Sequence, residues 1–162
     1  MKHILIPTDF TLGSLAPVQA ALAHYPDCRL RITLMNLMEP PTDIMDGLRL
    51  SFRNAAEFTI PVEFTAAMQE LETAHPERIE SVRAGTWFGN TSAYVSNVLS
   101  ALRVDAVFAD SAFRFKPASK KAVNPMQLLR KSAALFVDAS EVKPRQTETV
   151  YATPAFDRLA GA

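Results

Sequence analysis

Short apolar runs alternate with stretches of helical period along this chain, and the alternation predicts its architecture. His3 to Pro7 is a brief continuous apolar run, the pattern of a strand covered on both faces. Beyond it Leu15, Val18, Leu22 and Tyr25 fall on one helical stripe, which Thr11 or Ser14 can cap and Pro26 stops. Leu30 to Leu37 predicts a second strand, ended by Pro40 and Pro41. Two helical segments follow. Thr42 can cap the first, with Ile44, Met45, Leu48, Phe52, Ala55 and Ala56 at helical spacing. Pro61 sits in the first turn of the second, which Phe64, Ala67, Met68 and Leu71 carry to the break at Pro76. Ile79 to Ala84 predicts a third strand ending at Gly85, and Asn90 can cap a helix bearing Tyr94, Val95, Val98, Leu99 and Leu102. Ala106 to Ala109 is a fourth strand. A long polar loop separates it from a last helix opened by Asn124 and Pro125, and Ala134 to Val137 is the fifth strand.

Strands alternating with helices predict right-handed crossovers, and therefore an α/β fold with an open five-stranded parallel sheet and helices on both faces. With no internal repeat and no low-complexity linker, residues 1–140 read as one domain and 141–162 as a tail or arm. In such sheets ligands bind beyond the carboxyl ends of the strands. The positions to inspect are therefore Thr8, Asp9 and Phe10, then Met38 and Glu39, then Gly85 to Trp87, then Asp110 and Ser111, and Asp138. Trp87 and Phe88 read as closing the end of a core rather than lining a pocket.

Composition narrows the chemistry. In 162 residues the chain has one cysteine, Cys28, so no internal disulfide framework exists. His3, His24 and His75 stand far apart without metal-ligand spacing, and no metal site is expected. No apolar run is long enough for a membrane span and the opening run is stopped by Pro7, so a cytoplasmic protein without membrane contact is expected. Seventeen acidic side chains balance seventeen basic ones, which argues against nucleic-acid binding. The balance is uneven along the chain: Glu39 to Glu80 holds nine acids and three bases, Ser111 to Lys131 six bases and no acid. Arg114, Lys116, Lys120 and Lys121 are therefore candidate anion contacts, against the plainer reading of a solvated face. No serine occupies a nucleophile elbow and no histidine has a carboxylate partner assignable from spacing, so no catalytic residues and no enzyme are expected.

The strand ends carry a family resemblance. Lys2 to Thr11, reading Lys-His-Ile-Leu-Ile-Pro-Thr-Asp-Phe-Thr, resembles the first strand and Pro-Thr-Asp-Phe-Ser turn of universal stress proteins. Leu34 to Glu39 resembles that family's second strand, Val82 to Gly85 its strand-then-glycine, and Val104 to Ala109 its Val-Asp-Leu-Ile-Val-Met segment. The resemblance implies a fold of the adenine nucleotide alpha hydrolase type, usually a homodimer. In one branch it implies ATP at the strand ends, met by the positions matching Asp9 and Leu37. There the phosphates lie on a Gly-x-x-Gly-x9-Gly-Ser/Thr loop after the fourth strand. Alignment on Val104 and Asp105 puts Asp110, Phe113 and Val123 at its three glycines and Asn124 at its hydroxyl residue.

No glycine occurs between Asn90 and Ala160, so that loop cannot offer the close backbone approach by which glycines cradle phosphate. The expectation is a universal-stress-protein-like, non-enzymatic stress-response or protein-interaction module, forming a homodimer, without ATP or another cofactor. The alternative is a degenerate pocket for an adenine nucleotide or other anion. Its candidate residues are Pro7, Thr8, Asp9, Leu37, Asp110, Ser111 and Asn124.

Overall fold

The structure, a computed structural model, describes residues 1–40, 60–116, 121–133 and 135–142. The strands are β1 (Lys2–Pro7), β2 (Leu30–Met38), β3 (Ile79–Phe88), β4 (Ala106–Ala109), β5 (Ala122–Val123) and β6 (Phe136–Asp138). The helices are α1 (Pro17–His24), α2 (Val62–Ala74), α3 (Ser92–Ala101) and α4 (Met126–Ser132), with 3-10 turns at Leu12–Leu15 and Ala139–Glu141. The sheet runs β3-β2-β1-β4-β6 with all of these pairs parallel, as the alternation predicts. A sixth strand is added: β5 pairs antiparallel with the end of β2.

The period of two in each strand divides the core. Ile4, Ile6, Ile32, Leu34, Ala106 and Phe108 face one layer with Val18 and Leu22 of α1 and Phe64, Met68 and Leu71 of α2. Leu5, Met35, Leu37 and Val107 face the other, against Val95 and Leu99 of α3 and Leu129 of α4. Each large side chain wholly buried here contributes roughly 1.5–3 kcal/mol.

Several boundaries differ from the sequence reading for local reasons. β3 runs through Gly85 to Phe88, which pair with Met35 to Met38 of β2, and the Trp87 ring lies back over Gly85: a Cβ there would come within 3.0 Å of Trp87 Cη2. Thr91, not Asn90, caps α3, its hydroxyl accepting the Tyr94 N–H at 3.1 Å. Neither Thr11 nor Ser14 caps α1; Ser14 Oγ donates to the Thr11 carbonyl at 2.7 Å, closing the 3-10 turn, and Pro17 starts the helix. Pro61 stands at the N-cap of α2 rather than within its first turn. The last strand is Phe136–Asp138, later than expected. The helix expected after Thr42, and the tail beyond Val142, lie outside the described residues.

Candidate functional site

The strand order reverses between β1 and β4, and the crevice expected there opens beyond their carboxyl ends. Described side chains and backbone groups meet within it. Thr8 and Asp9 leave β1 fully buried or nearly so, at 0% and 3% exposure. Ser14 has one hydroxyl proton, committed to the Thr11 carbonyl, so at 2.6 Å Thr8 must donate to Ser14 Oγ while accepting the Phe10 N–H at 3.0 Å. Phe10 takes a left-handed φ of 64°, which turns its ring edge-on to Phe64 at 5.5 Å.

Both carboxylate oxygens of Asp9 are spent internally. Oδ1 accepts the Thr11 N–H at 3.0 Å and the Thr11 hydroxyl, and Oδ2 accepts the Lys116 N–H at 2.8 Å. Lys116 thus brings a backbone donor here; its side chain is exposed, as is that of Arg114. Lys121 is also exposed and its carbonyl accepts the Glu39 N–H at 2.7 Å, while Lys120 lies outside the described residues.

Leu37 is buried between two neighbours. It pairs with Trp87 of β3 on one side and with Val123 of β5 on the other, and Met38 pairs with Ala122. Since β1 ends opposite Met35, β5 takes the edge of β2 that β1 vacates. Asp110 Oδ1 accepts the Ala112 N–H at 2.8 Å, and the Phe113 N–H closes the same turn on the Asp110 carbonyl at 3.0 Å. Ser111 N–H donates to Asp138 at 3.1 Å, and Asn124 accepts the Met126 N–H at 3.1 Å at the start of α4. Among the described residues, Pro7, Ser14, Ala109, Asp110, Phe113 and Phe115 line one cavity of about 10 Å³, room for one water at most.

Sequence reasoning brought Pro7, Thr8, Asp9, Asp110 and Leu37 to one end of the sheet, and the structure places them there. It missed β5, Phe115 and the Lys116 N–H. A two-residue strand has no period to read, and a backbone donor leaves no signature in residue type. Among the described residues no group of three or more histidines, cysteines or carboxylates is placed to hold a metal, and no helix is long and apolar enough to cross a membrane.

The class so defined is an open α/β domain, doubly wound. No family model matches the chain, and no curated protein sequence does. Solved structures do match. The universal stress protein UspA from Lactobacillus plantarum superimposes with a TM-score of 0.55 at 12% identity, covering 85% of this chain and 96% of that one. The hypothetical protein PH0823 gives 0.52 at 18% identity, over 85% of this chain and 94% of the other. The hypothetical protein MJ0577 gives 0.51 at 15% identity, over 85% and 95%. The chain has the fold of the universal stress proteins.

Proposed function

We propose that this chain is a universal-stress-protein-like, non-enzymatic module of the stress response that works through protein contacts, as a homodimer, and does not take ATP in the crevice that its fold provides. One observation carries the reading: the two features that would meet an adenosine, the Asp9 carboxylate and the backbone of Leu37, are both bonded within the chain, to Lys116 and to β5. A ligand there would have to break charge-assisted and ladder hydrogen bonds and displace Phe113 and Phe115.

Melting temperature in millimolar ATP with magnesium, compared with an equal concentration of tripolyphosphate, tests it. A nucleotide at a hundred times its dissociation constant stabilises the folded state by about 2.7 kcal/mol. For a domain of this size that is a rise of about 5–10 °C. The expected outcome is no difference between the two solutes. A rise with ATP well beyond that with tripolyphosphate overturns the reading and favours an adenine pocket. Solution scattering that gives a monomer at micromolar concentration removes the dimer.

A further inference from the structure

The opposite end of the sheet carries a second, quite different feature. Parallel pairing sets His3 beside Arg31 and Thr33 beside Arg83, which brings these four side chains to one face at the amino-terminal ends of β1, β2 and β3. The end of α3 supplies Arg103, and Asp105 follows. These residues line one cavity of about 580 Å³, within the size range of small-molecule sites.

Its charge is unbalanced. Three exposed arginines and one aspartate are among its lining residues, and Asp105 Oδ2 is already engaged by the His3 N–H at 2.8 Å. Glu80 draws on Arg31 alone, at 3.5 Å, from outside the lining. Among the described residues Arg83 and Arg103 have no ion-pair partner. The floor is fixed. His3 Nδ1 lies 2.8 Å from the Leu102 carbonyl, which can only accept, so Nδ1 carries the proton and Nε2, in the neutral ring, accepts the Thr33 hydroxyl at 2.7 Å.

Arg103 gives an independent indication. α3 ends with the Val104 N–H bonded to the Leu99 carbonyl at 3.0 Å and the Arg103 N–H to the Ser100 carbonyl at 3.1 Å. That is the double bond pattern whose left-handed residue is usually glycine. Here it is arginine, at φ 55°. A strained backbone position is thus occupied by a charged residue, beside a cavity already lined by two other arginines.

We propose that this basin binds a small polyanion, a molecule with two or more phosphate or carboxylate groups, held by Arg31, Arg83 and Arg103. The planar fork of each guanidinium matches one oxyanion. The site is independent of the crevice at the other end of the sheet. A polyanion bound in the basin moves the melting temperature in tripolyphosphate and in ATP alike, so the comparison proposed above is unaffected.

The test is calorimetric titration of the full chain with inorganic pyrophosphate and, separately, with citrate, at low ionic strength. Saturable binding is expected, with Arg83→Ala and Arg103→Gly each weakening it about tenfold, one charge-assisted contact's worth. Circular dichroism of both variants confirms the fold. Binding of pyrophosphate alone assigns a phosphoryl ligand, and of citrate alone a carboxylate. Failure of wild type to bind either probe at millimolar concentration, or binding that both folded variants retain unchanged, overturns the proposal.

Discussion

Replacing Arg103 separates backbone strain from charge. The residue sits at φ 55°, immediately beyond α3, with its side chain exposed. For an L-residue the left-handed conformation costs about 1–2 kcal/mol. Glycine avoids that cost but loses about 0.5–1 kcal/mol through greater freedom in the unfolded chain. The guanidinium also lies at a helix carboxyl terminus, where a positive charge contributes about 0.3–1 kcal/mol at low salt. Two variants resolve these contributions. Arg103→Ala removes the charge and keeps the strained backbone, whereas Arg103→Gly removes both.

Urea denaturation followed by circular dichroism, in about 0.5 M salt to screen the helix terminus, is expected to show Arg103→Gly more stable than Arg103→Ala by about 1 kcal/mol. In thermal melts this corresponds to about 2–4 °C. At an ordinary backbone position the order is reversed, alanine exceeding glycine by about 0.4–1 kcal/mol. The sign therefore reports the conformation. Alanine equal to or better than glycine would refute a left-handed Arg103. A glycine variant that is more stable yet binds pyrophosphate less tightly is an outcome that a purely structural arginine cannot produce.

Two further predictions concern packing and pH. Gly89 is buried, its N–H donates to the Met38 carbonyl at 2.9 Å, and a Cβ there would fall 2.1 Å from Tyr94 Cδ2; Gly89→Ala is therefore expected to cost about 1–3 kcal/mol in the same denaturation assay, and a neutral result would show that the Tyr94 ring swings aside freely. Burial pushes the Asp138 carboxyl up, but hydrogen bonds from Ser111 and Ser140 outweigh it and hold the group below the usual carboxylate range. The folded form thus binds this proton less readily than the unfolded chain, so the linked stability is complete above about pH 4 and is lost as pH falls further. Asp138→Asn is expected to flatten the stability profile below about pH 4, and equal slopes in variant and wild type would count against the assignment.

What the sequence revealed and what it hid divide along physical lines. The strands at Lys2–Pro7 and Ala106–Ala109 are legible because their buried residues form short apolar runs, and Leu30–Met38 because it is rich in Ile, Thr and Leu. At Gly85 the sequence predicts a stop, whereas in β3 the glycine is a seat for the Trp87 ring. The shift of the α3 cap from Asn90 to Thr91 is one residue between two types that both cap, so residue type does not fix the position. The basin was invisible for another reason. Arg31, Arg83 and Arg103 are distant in sequence, and only the register of β2 on β3 and the stop of α3 join them.

The crevice shows the same division within one loop. Absence of glycine between Asn90 and Ala160 predicts that the segment after β4 is unlike a phosphate cradle, but says nothing of what the segment does instead. In a cradle, backbone N–H groups turn toward a ligand's anion. Here the Lys116 N–H turns toward an anion of the chain's own, the Asp9 carboxylate, and the loop then continues into β5 to complete the edge of β2 beside Leu37. An internal carboxylate takes the loop's N–H, and an internal strand takes the edge of β2. Asp9, the position that the family resemblance sets beside a nucleotide, thereby fastens the loop to the end of β1.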